Sequence, residues 1–392
     1  MKLLFLVRRV GPYHDARYEA AGGMLDLYVT ETRPETTEYP WTTQAQPRNY
    51  RIAALGRPQD PDAGLRGSEL QRAMDFRIDE VRPDIVACTG WADPEYHAAL
   101  RKCNAIEIPA IVMSDSTFED EQRRWWKEQL KRPVIKGFSA AVVAGTRSRS
   151  YLSGLGFDPR AIFEPCDVVD NGHFAVPREG TRARSGAQRG PYFLCVSRYL
   201  AKKNLFRLVE AFAAYRTLHG SGSWDLVILG SGELADKLSA AIGAAGVASH
   251  VVRPGFVQYD ELPAYYSGAG AFILPSLSDQ WGLSVNEAMA SGVPVLVSTA
   301  CGCAPDLVVD GENGFAFDPL DVAAMAESMR RVAMLPERGR IEMGLAGRSR
   351  VARYTPQRFA EALLAAAHYA REHRKPAGFA TLLALRASAM RG

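Results

Sequence analysis

The sequence predicts an α/β protein of two doubly wound domains, each a parallel sheet with helices on both faces. Three observations carry this. Short apolar runs rich in β-branched residues alternate with stretches of helical composition along the 392 residues, the pattern of successive βαβ units. That length suits two domains with a core each. Residues 177–191, rich in Arg, Gly and Ser and without apolar pattern, break the alternation near the middle as a linker does. The expected division is 1–180 and 181–355, with a further helix over 356–374 that carries Leu and Ala on one face.

Taken in order, Lys2 to Val7 is a strand of the buried type, and Arg8 to Tyr18 is the loop and helix start behind it. Ligands of open α/β sheets sit at the carboxyl ends of strands, so this loop, with His14, faces a site. Met24 to Val29 and Ile52 to Leu55 are further strands, and Arg66 to Val81 is a helix. Pro83 to Cys88 is a strand ended by Thr89-Gly90-Trp91, and His97 falls within the next helix as a structural residue. Ile111 to Phe118 ends another strand at Ser114, Asp115 and Ser116, where Asp115 suits either a ligand contact or a helix N-cap. Residues 123–138, RRWWKEQLKRPVIKGF, hold six Lys or Arg, two Trp and one Glu. They form either a helix that lies on an anionic membrane surface or a solvated helix with its Trp in the core.

Ala140 to Thr146 is the last strand of the first half, and Tyr192 to Val196 the first of the second. Ser197 to Asn204 then joins strand to helix and sets Arg198 and Lys203 at the helix start, a good clamp for a diphosphate. After the strand Trp224 to Leu229, Gly230-Ser231-Gly232-Glu233-Leu234-Ala235 satisfies the dinucleotide pattern G-x-G-x-x-A. The strand near His250 to Val252 ends in Arg253-Pro254-Gly255, however, where an NAD site has an acid for the ribose. An NAD enzyme is disfavoured.

The chemistry concentrates in residues 270–299, GAFILPSLSDQWGLSVNEAMASGVPVLVST. Ala271 to Leu274 is a strand closed by Pro275, Ser284 to Ala290 has helical composition, Gly292 stands where a C-cap glycine belongs, and Pro294 to Val297 is a second strand. Between them, Asp279 and Glu287 are eight residues apart, with Gly282 letting backbone approach a ligand beside a helix N-terminus. Carboxylates accept from sugar hydroxyls and backbone amides hold phosphate, which suits a sugar phosphate.

At these residues the chain resembles the retaining glycosyltransferases of family 4, which have the GT-B fold and a motif written roughly PSxxEGFGxxxxEAMAxGxPV. The match runs over Pro275, Ser276, Asp279, Gly282, Glu287, Ala288, Met289, Ala290, Gly292, Pro294 and Val295; Asp279 stands where the family's first Glu does. Pro165 to Phe174 resembles the NGVDxxxF segment, Ser197 to Asn204 the GRLxxxKG segment, Gly302 to Asp306 the GGxxE segment and Asp310 to Phe315 the DGxNG turn. The resemblance implies two Rossmann-like domains facing a cleft, an acceptor-binding first and a donor-binding second, with the terminal helix crossing back. It implies that Arg198 and Lys203 stabilise a departing diphosphate, that Asp279 binds donor-sugar hydroxyls and that Glu287 holds the ribose. Trp281, Gly282 and Leu283 would line sugar and phosphate, with Gly230, Arg253 and Gly255 around the nucleotide. Gly11 carries over from the family's glycine-rich loop, and His14 and Asp115 fall on the acceptor side. The family's histidine near Thr89-Gly90-Trp91 has no counterpart here.

Composition narrows the rest. Hydrophobic residues make up 47% and charged residues 23%, as in globular proteins, and a net charge of +3 is too slight to point to nucleic acid. No apolar run reaches the roughly 18 residues of a membrane span, and Arg8-Arg9 stops Met1 to Val7 short of a signal-peptide core, so a cytoplasmic protein, peripheral at the inner membrane face if at all, is expected. Six cysteines, at 88, 103, 166, 195, 301 and 303, sit mostly in apolar strands as reduced core thiols, and Cys301-Gly302-Cys303 lacks C-x-x-C spacing. The D-x-D at Asp60-Pro61-Asp62 lies in a Pro/Gly-rich loop and is turn chemistry. No cofactor and no metal are expected. The expected partners are a UDP-, GDP- or ADP-linked sugar and a carbohydrate or lipid-linked acceptor. A sugar-nucleotide epimerase and a non-catalytic nucleotide-sugar-binding protein stay open as alternatives.

Overall fold

The computed structural model describes residues 1–34, 48–56, 64–175, 191–374 and 376–389. The chain divides into two compact units, one of Met1–Phe118, Gln122–Val168 and Pro356–Gly392, the other of Glu119–Glu121 and Val169–Thr355. The long stretch of the second unit thus begins at Val169, ahead of the expected cut after residue 180. Apart from Pro191, the expected linker lies outside the described residues, as does Asp60-Pro61-Asp62.

The first unit holds a seven-stranded sheet of β1 (Lys2–Val7), β2 (Asp26–Glu31), β3 (Arg51–Ala54), β4 (Ile85–Cys88), β5 (Ala110–Ser114), β6 (Ala140–Val143) and β7 (Ile162–Phe163), in the order β3-β2-β1-β4-β5-β6-β7. Every pairing is parallel. Helices α1 (Pro12–Gly22), α2 (Gly67–Val81), α3 (Pro94–Ala105), α4 (Trp125–Ile135) and α5 (Thr146–Gly154) connect the strands. Their apolar spacing explains them: α2 buries Leu70, Met74, Ile78 and Val81, one face of a 3.6-residue repeat. β2 starts later than the expected Met24 because the N–H groups of Met24 and Leu25 bond back to the Ala21 carbonyl and close the end of α1.

The second unit holds a six-stranded parallel sheet of β8 (Tyr192–Val196), β9 (Asp225–Leu229), β10 (Val251–Gly255), β11 (Ala271–Leu274), β12 (Val295–Ser298) and β13 (Gly314–Phe317), ordered β10-β9-β8-β11-β12-β13. Its helices are α6 (Asn171–Ala175), α7 (Leu205–His219), α8 (Ala235–Ala244), α9 (Leu262–Gly268), α10 (Leu283–Ala290), α11 (Ala304–Leu307), α12 (Val322–Met334) and α13 (Glu337–Val351). The chain then returns to the first unit as α14 (Pro356–Glu372) and α15 (Phe379–Ala389). α14 lies on α1, burying Phe359, Ala360, Leu363, Ala366 and Ala367, and the Arg17 guanidinium rests 5.6 Å from the Phe359 ring centroid.

Strand order fixes where a ligand can sit. In the second unit the chain winds outward from β8 through β9 to β10, then returns to place β11 on the other side of β8. The loops leaving β8 and β11 diverge there, the switch point at which open α/β sheets bind ligands. In the first unit the equivalent place lies between β1 and β4.

Candidate active site

The loop after β8 and the loop after β11 are stitched together by hydrogen bonds that no local pattern announces. The Leu277 N–H donates to the Lys202 carbonyl (2.8 Å), and the buried Asn204 amide donates to the carbonyls of Pro275 (3.1 Å) and Pro319 (2.7 Å). Asn204 has a left-handed φ of 59° between the 3-10 turn Ala201–Lys203 and α7, a conformation Asn tolerates better than most residues. This stitching brings Lys203 Nζ to 2.5 Å from Asp279 Oδ2, with both side chains largely covered. Ser276 Oγ donates to the same carboxylate oxygen at 3.4 Å. Arg198, on the same β8 loop, is exposed.

The β11 loop is pinned from its other side by the segment after β12. The Gly302 N–H donates to the Asp279 carbonyl (2.8 Å) and the Cys303 N–H to the Trp281 carbonyl (3.1 Å). A Cβ on Gly302 would stand 1.7 Å from the Gln280 carbonyl oxygen, so backbone touches backbone here and only glycine fits. Cys301-Gly302-Cys303 is thus the floor of the loop. Its two cysteines are buried free thiols, as are Cys88, Cys103, Cys166 and Cys195, and burial pushes the Cys103 and Cys195 thiols up to about 12. Among the described residues no group of His, Cys, Asp or Glu could hold a metal ion.

Gly282, with a φ of 105°, caps the start of α10, which begins at Leu283, and turns that helix's free N–H groups toward the loop. Trp281 is buried, its Nε1–H donating to Asn286 Oδ1 (3.0 Å). Glu287 sits on α10 with only 1% of its surface exposed, and Tyr266 donates its hydroxyl to Glu287 Oε2 at 2.5 Å. The Phe174 ring packs edge-on against Tyr266, and His173 stacks on Tyr259 at 4.3 Å, fastening α6 to α9 and so backing Tyr266.

The G-x-G turn has a packing role. A Cβ on Gly230 would lie 2.0 Å from the Ser197 carbonyl oxygen, and the Tyr199 N–H donates to the Ser231 carbonyl (2.8 Å). The turn after β9 therefore braces the loop carrying Arg198 and Lys203. β10 runs through to Gly255, longer than expected, and takes in Arg253. The Arg253 guanidinium donates to the Ala235 carbonyl (3.0 Å) and to Ser239 Oγ, so it is occupied in fastening α8. The Gly255 carbonyl accepts the Gly230 N–H (2.8 Å).

In the first unit, Gly11 is the N-cap of α1 with φ −109°, and its N–H donates to His14 Nδ1 (3.2 Å). Burial pushes the His14 imidazole down to about 3, with the nearby Arg17 charge acting the same way, so it stays the neutral acceptor of that cap. Asp115 does not cap α4, which starts at Trp125 with Arg124 as N-cap; its carbonyl accepts from Ser148 Oγ at 3.0 Å. His97 has one ring nitrogen 2.7 Å from the Trp91 carbonyl oxygen, a structural contact. The core alternative for the tryptophans of residues 123–138 is overturned, since Trp125 and Trp126 are exposed.

The structure therefore brings Lys203 and Asp279 into contact, sets Arg198 on the same loop, and carries Trp281, Gly282, Leu283 and Glu287 on the adjoining loop and helix. Asn204, Ser276 and Tyr266 are additions that the sequence reading missed. Their partners lie 71, 3 and 21 residues away. Asn204 and Ser276 fall inside recognised motifs, Tyr266 outside any.

Known proteins resemble this chain in sequence and in fold. The family described as "Glycosyl transferases group 1" matches residues 178–348. The chain is similar to the GDP-mannose-dependent alpha-(1-6)-phosphatidylinositol monomannoside mannosyltransferase of Mycolicibacterium smegmatis, 34% identical over 215 residues, 52% of this chain and 54% of that one. It is similar also to the glycogen synthase of Mycobacterium tuberculosis, 26% identical over 276 residues, 69% of this chain and 64% of the other. The chain spans about half the length of the mannosyltransferases it matches. Among solved structures, HepE of Anabaena in complex with UDP superposes with TM-score 0.72 at 14% identity, covering 93% of this chain and 99% of that one. Sucrose-phosphate synthase from Thermosynechococcus elongatus gives TM-score 0.70 at 17% identity, covering 93% and 98%. The fold is GT-B, and residues 178–348 are similar to the group 1 glycosyl transferases.

Proposed function

We propose that this chain is a retaining glycosyltransferase of bacterial polysaccharide or glycoconjugate synthesis. It moves a sugar from a UDP-, GDP- or ADP-linked donor to a hydroxyl of a carbohydrate or lipid-linked acceptor, without a metal ion or other cofactor. The observation that supports this most is the Lys203–Asp279 pair at the switch point of the second sheet, inside the family-matched segment. The names of its relatives support the substrate classes: one uses GDP-mannose and a phosphatidylinositol mannoside, and HepE is described with UDP and with UDP-glucose.

In this reading the donor diphosphate meets Arg198, Lys203 and the first N–H groups of α10, which gain in strength as the leaving group gains charge. Asp279 accepts from hydroxyls of the donor sugar and Glu287 from those of the ribose. Trp281, Gly282 and Leu283 line the sugar through backbone groups, and the turns at Gly230 and Gly255 border the nucleotide. The bond from the anomeric carbon to the diphosphate oxygen breaks, the bond to the acceptor oxygen forms on the same face, and the acceptor proton passes to a leaving-phosphate oxygen. The first unit takes the acceptor beside β1 and β5, near Gly11, His14 and Asp115.

Thermal unfolding with UDP, GDP, ADP, their sugars and NAD is the first test. A ligand at about 100 times its dissociation constant adds roughly 2.7 kcal/mol of stability. One nucleoside diphosphate and its sugars should raise the melting temperature, and transfer from that sugar should give a product of unchanged anomeric configuration, in EDTA as without it. Stabilisation by NAD alone, an isomerised free nucleotide sugar, or an inverted product would each overturn the reading.

A further inference from the structure

The first unit carries an apolar face that the donor site leaves unexplained. On α4, Trp125 (77% exposed), Trp126 and Leu130 (64%) stand outward, while Val134 and Ile135 are buried. On α15, Phe379 (82%), Leu382 and Leu383 stand outward, at helical spacing, while Thr381 and Leu385 are buried. The two helices pack on each other: Thr381 Oγ1 donates to the Pro133 carbonyl of α4 (2.7 Å), and Arg101 of α3 donates to the Leu385 carbonyl of α15 (2.8 Å). Six large apolar side chains thus share one surface built from segments some 250 residues apart. A contiguous exposed patch of this kind marks an interaction site.

Its charge identifies the occupant. Arg124, Lys127, Arg132 and Lys136 on or flanking α4, and Arg386 on α15, are all exposed. The one carboxylate of α4, Glu128, is engaged by Lys131 (2.9 Å) and by the Tyr151 hydroxyl (2.7 Å), and the described part of α15 has none. Lys127 lies over the Trp126 ring, 5.7 Å from its centroid, with cation and aromatic side by side as at a lipid headgroup boundary. A second copy would bring the same positive rim against itself. We propose that α4 and α15 together form a docking platform for an anionic lipid bilayer. The six apolar side chains enter the headgroup boundary and the basic rim pairs with acidic lipids. Each helix has 11 residues, and among the described residues no helix is long and apolar enough to cross a membrane, so the platform lies in the interface plane. The inference is independent of the donor-site reading.

Vesicle flotation of the full chain tests it, with phosphatidylcholine alone and with phosphatidylcholine containing phosphatidylglycerol. Binding to the anionic vesicles only, weakened by salt, is expected. Arg124→Glu with Lys127→Glu and Arg132→Glu should weaken it about 100-fold. Trp125→Ser with Trp126→Ser, and separately Phe379→Ser with Leu383→Ser, should each weaken it about tenfold or more. All of these positions are exposed, so circular dichroism and the thermal shift given by the nucleoside diphosphate should be unchanged, which separates a lost membrane surface from a failed donor site. A wild-type chain that ignores anionic vesicles overturns the proposal. So does full binding by the α15 variant, and so does a face whose substitutions abolish self-association in sedimentation without touching vesicle binding.

Discussion

Lys203 is where one side chain decides most. Its ammonium lies against the Asp279 carboxylate beside the start of α10, and in the proposed reaction it would share the negative charge of the donor's diphosphate. Lys203→Ala should lower kcat about 100-fold or more, as removal of one transition-state charge stabiliser does, and steady-state transfer kinetics measure it. Tyr266→Phe is subtler. It removes the donor to a buried carboxylate, costing about 1.5–3 kcal/mol in urea unfolding and weakening nucleotide binding, because Glu287 then lacks the hydroxyl that orients it. His14 has a pH signature. Its folded value of about 3 lies below its ordinary 6.5, so the folded chain prefers the neutral ring. That contribution is complete above pH 6.5 and is lost as the pH falls from there toward 3, with a slope of at most about 1.4 kcal/mol per pH unit. His14→Gln keeps a capping side chain at that position and should flatten this part of the acid limb in urea titrations at stepped pH. Equal acid limbs in both proteins would remove His14 from the account.

At the scale of elements, the strands and helices were legible because their apolar periods are strong, as the buried runs of β1, β4 and β8 show. The site loops were legible in composition and not in purpose. Lys203 and Asp279 are 76 residues apart; the family resemblance assigned both to one site without pairing them, and the contact is made through hydrogen bonds from Asn204 and Leu277 that sequence spacing cannot express. The G-x-G turn and Cys301-Gly302-Cys303 are both places where one backbone lies on another. Arg253, expected around the nucleotide from the family resemblance, spends its guanidinium on the Ala235 carbonyl and Ser239 of α8, contacts that its place near a strand end does not announce. Gly302→Ala tests the floor of the β11 loop. With a Cβ forced 1.7 Å from the Gln280 oxygen, the loop must shift, at a cost of roughly 2–4 kcal/mol and with weaker donor binding. Calorimetry of folding and of nucleotide binding on that one variant reads both, and an unaltered binding constant would show that the loop's position is not what the donor senses.

For the molecule as a whole, the telling feature is that the first unit is assembled from stretches far apart in the chain, on either side of the second. α14 closes the first unit by covering α1, and its Phe359, Leu363 and Ala366 are as buried as residues of the central strands. The unit's core is therefore incomplete without the helix over Pro356–Glu372, while the second unit draws its sheet from residues 192 to 317 without interruption. The helical period of 358–371 was plain in the sequence, but an apolar face names no partner, so its return to the first unit was expected from the family resemblance alone. Two perturbations should consequently act on different halves. Phe359→Ala leaves a cavity under Arg17 and should cost the first unit about 3–5 kcal/mol, whereas a saturating nucleoside diphosphate should stabilise the second. Hydrogen exchange resolved by peptide can follow both in one experiment. The variant should speed exchange in β1, α1 and β2 and spare β8, β9 and β11, and the nucleotide should slow exchange around 198–204 and 279–290 in wild type and variant alike. Faster exchange spread evenly through both sheets would mean that the two units unfold as one cooperative body, and the donor site would then report on damage at α14.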